Sequence, residues 1–84
     1  MALRFGTDVC TATTDYGTVL LDQRTGQYWE LNPTATLVVS TLMAGGDEDD
    51  ATNALVREFD VTPAQARDDV TALIGELRAG GLAA

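Results

Sequence analysis

Apolar and polar positions alternate with a period of two through the first third of the chain and follow a helical period after it. Val19, Leu21 and Gln23 fall on one side of an extended segment and Leu20 and Asp22 on the other, and Val9, Thr11 and Thr13 alternate in the same way. This is the mark of half-buried strands, whose successive side chains point to opposite faces. Asp15-Tyr16-Gly17 and Arg24-Thr25-Gly26 are turn signals between the apolar stretches. The spacing predicts a three-stranded antiparallel meander over roughly 4–13, 17–23 and 26–31.

Asn32-Pro33 predicts the switch to helix. Asparagine is a favoured N-cap, and proline at the first helical position gives up an N–H that had no partner there. Leu37, Val38, Thr41 and Leu42 then form one stripe, and Gly45-Gly46 stops the helix. Asp47 to Asp50 is a run of four acids. It reads as the first turn of a second helix, where acids suit the positive end of the dipole, rather than as a metal or partner site. Leu55, Val56 and Phe59 supply that helix's apolar face. Thr62-Pro63-Ala64-Gln65 matches a capping box with proline at the first position. It opens a third helix over about 63–79, with Ala66, Val70, Leu73 and Leu77 as its inward stripe and Ile74 beside it. Gly80-Gly81 ends this helix, and Leu82 is placed to fold back on its last turn. The order βββααα predicts an α+β, winged-helix-like fold: a three-stranded antiparallel sheet followed by three helices that cover one of its faces. With no repeat or linker, residues 1–84 read as a single domain.

Charge narrows the function. Thirteen acids against five bases give a net charge of −8, and there is no Lys and no His. The bases, Arg4, Arg24, Arg57, Arg67 and Arg78, are scattered, so no basic stripe forms to displace counterions from a nucleic acid. Anionic membrane surfaces are disfavoured for the same reason, and no apolar run approaches the ~18 residues of a membrane span. A partner carrying basic residues is steered towards the domain. The N-terminal ten residues lack the apolar core of a signal peptide, and Cys10 has no second cysteine to pair with. The expected compartment is the cytoplasm.

Catalytic inventory is sparse. Without His there is no Ser-His-Asp set, no Cys-His pair and no zinc constellation. The glycine pairs lack the strand-to-helix context of a phosphate loop and read as helix stops. Cys10 reads as a small buried hydrophobe. No catalytic residue, metal or cofactor is expected. Three readings remain. A winged-helix nucleic-acid binder suits the element order but not the charge. An acidic carrier protein suits the size and acidity, but it needs an Asp-Ser-Leu attachment site, which the sequence lacks, and it is essentially all-helical.

The third reading is a peptide-binding module. A three-stranded meander leaves edges with unpaired N–H and C=O groups. If the third strand is such an edge, an extended peptide can add to it in a groove walled by the third helix. Tyr28 and Trp29 then point to opposite faces. Trp29 shares its face with Leu31 and reads as core, while Tyr28 and Glu30 share the other face, with Tyr28 a candidate peptide contact. Asp69 and Ile74 on the third helix are further candidates.

Val19-Leu20-Leu21-Asp22, Thr25-Gly26-Gln27-Tyr28-Trp29-Glu30-Leu31-Asn32-Pro33-Thr34, Asp60-Val61-Thr62-Pro63-Ala64-Gln65-Ala66 and Leu77-Arg78-Ala79-Gly80-Gly81-Leu82 together resemble the PqqD family over about residues 15–83. These are the RiPP recognition elements, small domains that bind the leader of a ribosomally made precursor peptide. Within the family the chain looks most like the free-standing B1 proteins of lasso-peptide biosynthesis. The resemblance implies a non-catalytic adaptor that captures the leader and presents it to a separate, cysteine-protease-like leader peptidase of the B2 type. The freed core then passes to a macrolactam synthetase. It also implies that the leader adds to the strand Gln27 to Leu31, against a helix wall of Asp69, Val70, Leu73, Ile74 and Leu77, with Arg67 the nearest base. The expected leader motif is of the Tyr-x-x-Pro-x-Leu type, with lysines that suit an acidic partner. A PqqD-type peptide chaperone of another modification pathway shares the same motif.

Overall fold

Asn32 and Pro33 divide the computed structural model into its sheet and its helices. The structure describes residues 3–15 and 17–84, so Tyr16, the centre of the expected Asp15–Gly17 turn, lies outside them. Three strands, β1 (Val9–Thr14), β2 (Gly17–Asp22) and β3 (Tyr28–Leu31), precede three helices, α1 (Pro33–Met43), α2 (Glu48–Glu58) and α3 (Pro63–Ala79). The sheet is antiparallel in the order β1-β2-β3. This is the predicted α+β arrangement.

β1 is shorter than expected. The segment before it pairs with the chain's other end: Phe5 bridges to Ala83, Gly6 N–H donates to the Leu82 carbonyl at 2.9 Å and Ala84 N–H to the Arg4 carbonyl at 2.8 Å. A turn at Gly6-Thr7-Asp8, closed by Val9 N–H to the Gly6 carbonyl at 3.2 Å, separates that bridge from β1. β3 also starts late. Asp22 Oδ1 accepts from Arg24 N–H and the Asp22 carbonyl from Gly26 N–H, so the Arg24-Thr25-Gly26 turn consumes the first residues assigned to the strand.

The pairing fixes the two faces of the sheet. Thr11, Leu20 and Trp29 lie in one cross-strand row, with Thr13, Thr18 and Leu31 in the next. This face meets the helices and holds Leu20 out of water completely, worth about 1.5–3 kcal/mol for one leucine. The opposite face carries Cys10, Leu21 and Tyr28 in one row and Ala12, Val19 and Glu30 in another. Cys10, expected to be buried, is half-buried there because its strand position points away from the helices.

Each helix start follows from its cap. Asn32 Oδ1 accepts from Ala35 N–H at 2.8 Å, and Thr62 Oγ1 from Gln65 N–H at 3.2 Å. The four-acid run becomes a reciprocal box: Asp47 Oδ1 accepts from Asp50 N–H and Asp50 Oδ2 from Asp47 N–H. The core joins Leu20 of the sheet to Val38, Val39 and Leu42 of α1, Leu55 of α2, and Ala66, Val70, Ile74 and Leu77 of α3. Leu82 folds back beneath the last turn of α3 and is 1% exposed. No helix among the described residues is long and apolar enough to cross a membrane.

A groove between the third strand and the third helix

Among the described residues, β3 pairs with β2 on one side only. Its backbone sorts its polar groups by residue. Asp22 N–H donates to the Gln27 carbonyl at 2.9 Å, and the same register carries on through Leu20 opposite Trp29 and Thr18 opposite Leu31. In an antiparallel ladder, directly opposed residues alternate between pairs that exchange hydrogen bonds and pairs that do not. Gln27, Trp29 and Leu31 therefore turn inward to β2. Tyr28 and Glu30 turn their N–H and C=O groups outward to the free edge.

Beside that edge runs a groove of about 630 Å³. Trp29, Glu30 and Leu31 form its strand side, and Asp69, Ala72, Leu73, Glu76 and Leu77 its α3 wall. Leu20, Val38, Leu55 and Leu82 floor it with core leucine and valine side chains. Asn32, Thr34 and Ala35, the capped start of α1, close one end. The concavity is thus apolar at its base, with the outward backbone groups of β3 along one rim and the carboxylates of Asp69 and Glu76 along the other.

Six of the residues singled out in the sequence meet at the groove: Trp29, Glu30, Leu31, Asp69, Leu73 and Leu77. Trp29 is half-buried and packs on the core while lining the groove, so it serves the sheet and the site together. The other five lie elsewhere. The N–H of Gln27 donates to Thr25 Oγ1 and its carbonyl accepts from Asp22, so the turn occupies both. The Tyr28 side chain stands on the far face of the sheet, 64% exposed. Val70 and Ile74 are in the core at 0% and 3% exposure. Arg67 reaches α2, where its guanidinium pairs with Asp49, and that hydrogen bond raises its pKa further above the ordinary arginine value.

Helical geometry accounts for the division of α3. At roughly 100° per residue, Ala66, Val70, Ile74 and Leu77 fall within one arc of about 80°. Asp69, Ala72, Leu73 and Glu76 fall on one flank of that arc, towards β3, and Arg67 on the other flank, towards α2. Ala72 and Glu76, at i+3 and i+7 from Asp69, escaped the sequence reading because neither is a large apolar residue. Their spacing from Asp69 was the available signal. The groove floor could not be read this way, because Leu20, Val38, Leu55 and Leu82 meet only through tertiary packing.

The family described as coenzyme PQQ synthesis protein D (PqqD) matches residues 17–83. A solved structure described as lasso peptide synthetase B1 complexed with the leader peptide is 39% identical and superimposes with a TM-score of 0.90, covering 100% of this chain and 99% of that one. A second, TbiB1 in complex with the TbiA(beta) leader peptide, is 24% identical with a TM-score of 0.84, covering 95% of this chain and 93% of that one, and shares the fold. Among curated proteins, none matches significantly. With the family match spanning most of its length and a 39%-identical relative aligned from end to end, the chain belongs to the PqqD family, the small domains known as RiPP recognition elements.

Proposed function

We propose that residues 1–84 form one leader-binding domain that captures the leader of a ribosomally made precursor peptide by adding it as a fourth strand to β3. The observation that carries this reading is the free edge at Tyr28 and Glu30 beside an apolar groove. Strand addition supplies main-chain hydrogen bonds, and the groove takes alternate side chains of the peptide. Trp29, Leu31, Leu73 and Leu77 offer the apolar contacts, and Tyr28 contributes through its backbone. That two structural relatives were solved with leader peptides supports the assignment of the ligand.

The adaptor does no chemistry in this reading. It holds the leader extended while a separate cysteine-protease-like leader peptidase cleaves it, and a macrolactam synthetase then closes the lasso. The 39% identity to a lasso peptide synthetase B1 favours that pathway over another PqqD-type chaperone role.

Trp29 is the only tryptophan and lines the groove, so its fluorescence reports occupancy directly. Titrating the domain with the synthetic leader encoded beside it should give saturable binding with a Kd of about micromolar to nanomolar, the range of a paired strand with a few apolar anchors. Absence of saturable binding sinks the proposal. Addition of the domain should also speed leader removal by the partner peptidase, and no acceleration would remove the presentation step.

A further inference from the structure

The groove is apolar inside but acidic along its rim. Asp69 and Glu76 stand on the α3 wall. None of the five arginines lines it: of the two on α3, each two residues from one of these acids, Arg67 is held by Asp49 on the other flank of the helix, and Arg78 falls on that same flank. Asp69 and Glu76 have no ion-pair or side-chain hydrogen-bond partner among the described residues. A purely apolar peptide entering the groove would strip water from these carboxylates and return nothing to them, which disfavours binding.

We propose that the groove selects an extended peptide carrying a Lys or Arg next to its apolar anchor, with Asp69 and Glu76 as the residues that determine this specificity. The inference rests on the leader-capture reading and narrows its ligand. Seven residues of helix separate the two acids by about 10.5 Å, which is roughly three residues of an extended peptide. The exposed Ala72 and the half-buried Leu73 lie between them. An apolar anchor seated on Leu73 therefore has a carboxylate within about three peptide residues on either side. A cation there offsets the carboxylates' lost hydration, and a glutamate there is repelled.

The test uses the full domain and the leader encoded beside it, in parallel with a version of that leader whose Lys and Arg are replaced by Gln. At ~50 mM salt the neutral leader should bind about 3–10-fold more weakly than the parent, as expected for one or two rim ion pairs. The difference should shrink at ~500 mM salt, where exposed charges are screened. In the Asp69→Asn, Glu76→Gln double variant, two exposed positions outside the core, the two leaders should bind alike. Equal binding of both leaders to the unaltered domain overturns the proposal, as does a parent leader with no basic residue in the segment that binds. Failure of the parent leader to bind at all is a different result: it overturns leader capture itself and the rim selectivity with it.

Discussion

The indole of Trp29 lies against the backbone of Gly80: a Cβ placed on Gly80 would sit 3.4 Å from Trp29 Cζ2 and 3.3 Å from the Glu76 carbonyl oxygen. Gly80 has an ordinary right-handed conformation, with φ at −81°, so glycine is needed there for closeness rather than for its backbone freedom. The next residue differs. Gly81 has φ at +77° with open space around it, a conformation that costs an L side chain energy. Gly81→Ala should therefore destabilise the domain by about 1 kcal/mol in denaturant unfolding. Gly80→Ala should change stability by less than about 1 kcal/mol, because helix propensity offsets the tight contact. It should still shift Trp29 emission and weaken leader binding, because the tryptophan that lines the groove must move. Unchanged emission in Gly80→Ala would separate Trp29 from that helix end.

Neighbours in sequence on α3 should behave in opposite ways. Ile74 is 3% exposed inside the core, whereas the half-buried Leu73 lines the groove. Ile74→Ala leaves a cavity and should cost about 2–5 kcal/mol, a large part of the stability of a chain this small. Leu73→Ala should cost well under that and instead weaken leader binding roughly tenfold, the loss of one apolar anchor contact. Urea unfolding and Trp29 titration on the two variants check both statements. A Leu73→Ala variant that binds like the parent would remove α3 from the site.

These two residues also mark how far the sequence could be read. The element order, the Asn32 and Thr62 caps and the folding back of Leu82 were visible because each depends on neighbours within a few positions. The choice between Leu73 and Ile74 was not. Both lie within half a turn of the same stripe, and only the positions of β3 and α2 decide which one meets the core. The late start of β1 has a similar cause: Arg4 and Phe5 alternate as a strand should, but their partners are Ala83 and Ala84, at the far end of the chain.

Acid should weaken the start of α2. The backbone N–H of Asp50 donates to the Asp47 carboxylate and holds its pKa below the ordinary value of 3.8. A carboxyl group with a lower pKa in the folded state adds stability above its unfolded pKa and loses it as the pH falls through the folded value. Asp47→Asn keeps a capping side chain but removes the titration. The stability difference between the parent and Asp47→Asn should therefore be constant from pH 7 down to about 5 and change below about 3.8, as the parent's carboxylate protonates. Chemical unfolding at pH 7, 5 and 3 measures this. A difference that stays the same at pH 3 would mean that Asp47 does not cap α2 as a carboxylate.

The edge of β3 predicts which amides report the ligand. In the free domain, Trp29 and Leu31 bond inward to β2, while the N–H groups of Tyr28 and Glu30 face the open edge. Amides that lack a hydrogen-bond partner exchange quickly with solvent, and those in a ladder exchange slowly. Without leader, Tyr28 and Glu30 should exchange fast beside slow Trp29 and Leu31. Saturation with leader should slow Tyr28 and Glu30 selectively, because a strand added in register bonds to these two residues and to no others in β3. Gln27 should change little, because its N–H already donates to Thr25 Oγ1. Residue-resolved exchange with and without the synthetic leader gives the answer. If binding protects α3 side-chain contacts but leaves Tyr28 and Glu30 fast, the peptide occupies the groove without joining the sheet, and strand addition is ruled out while groove binding stands.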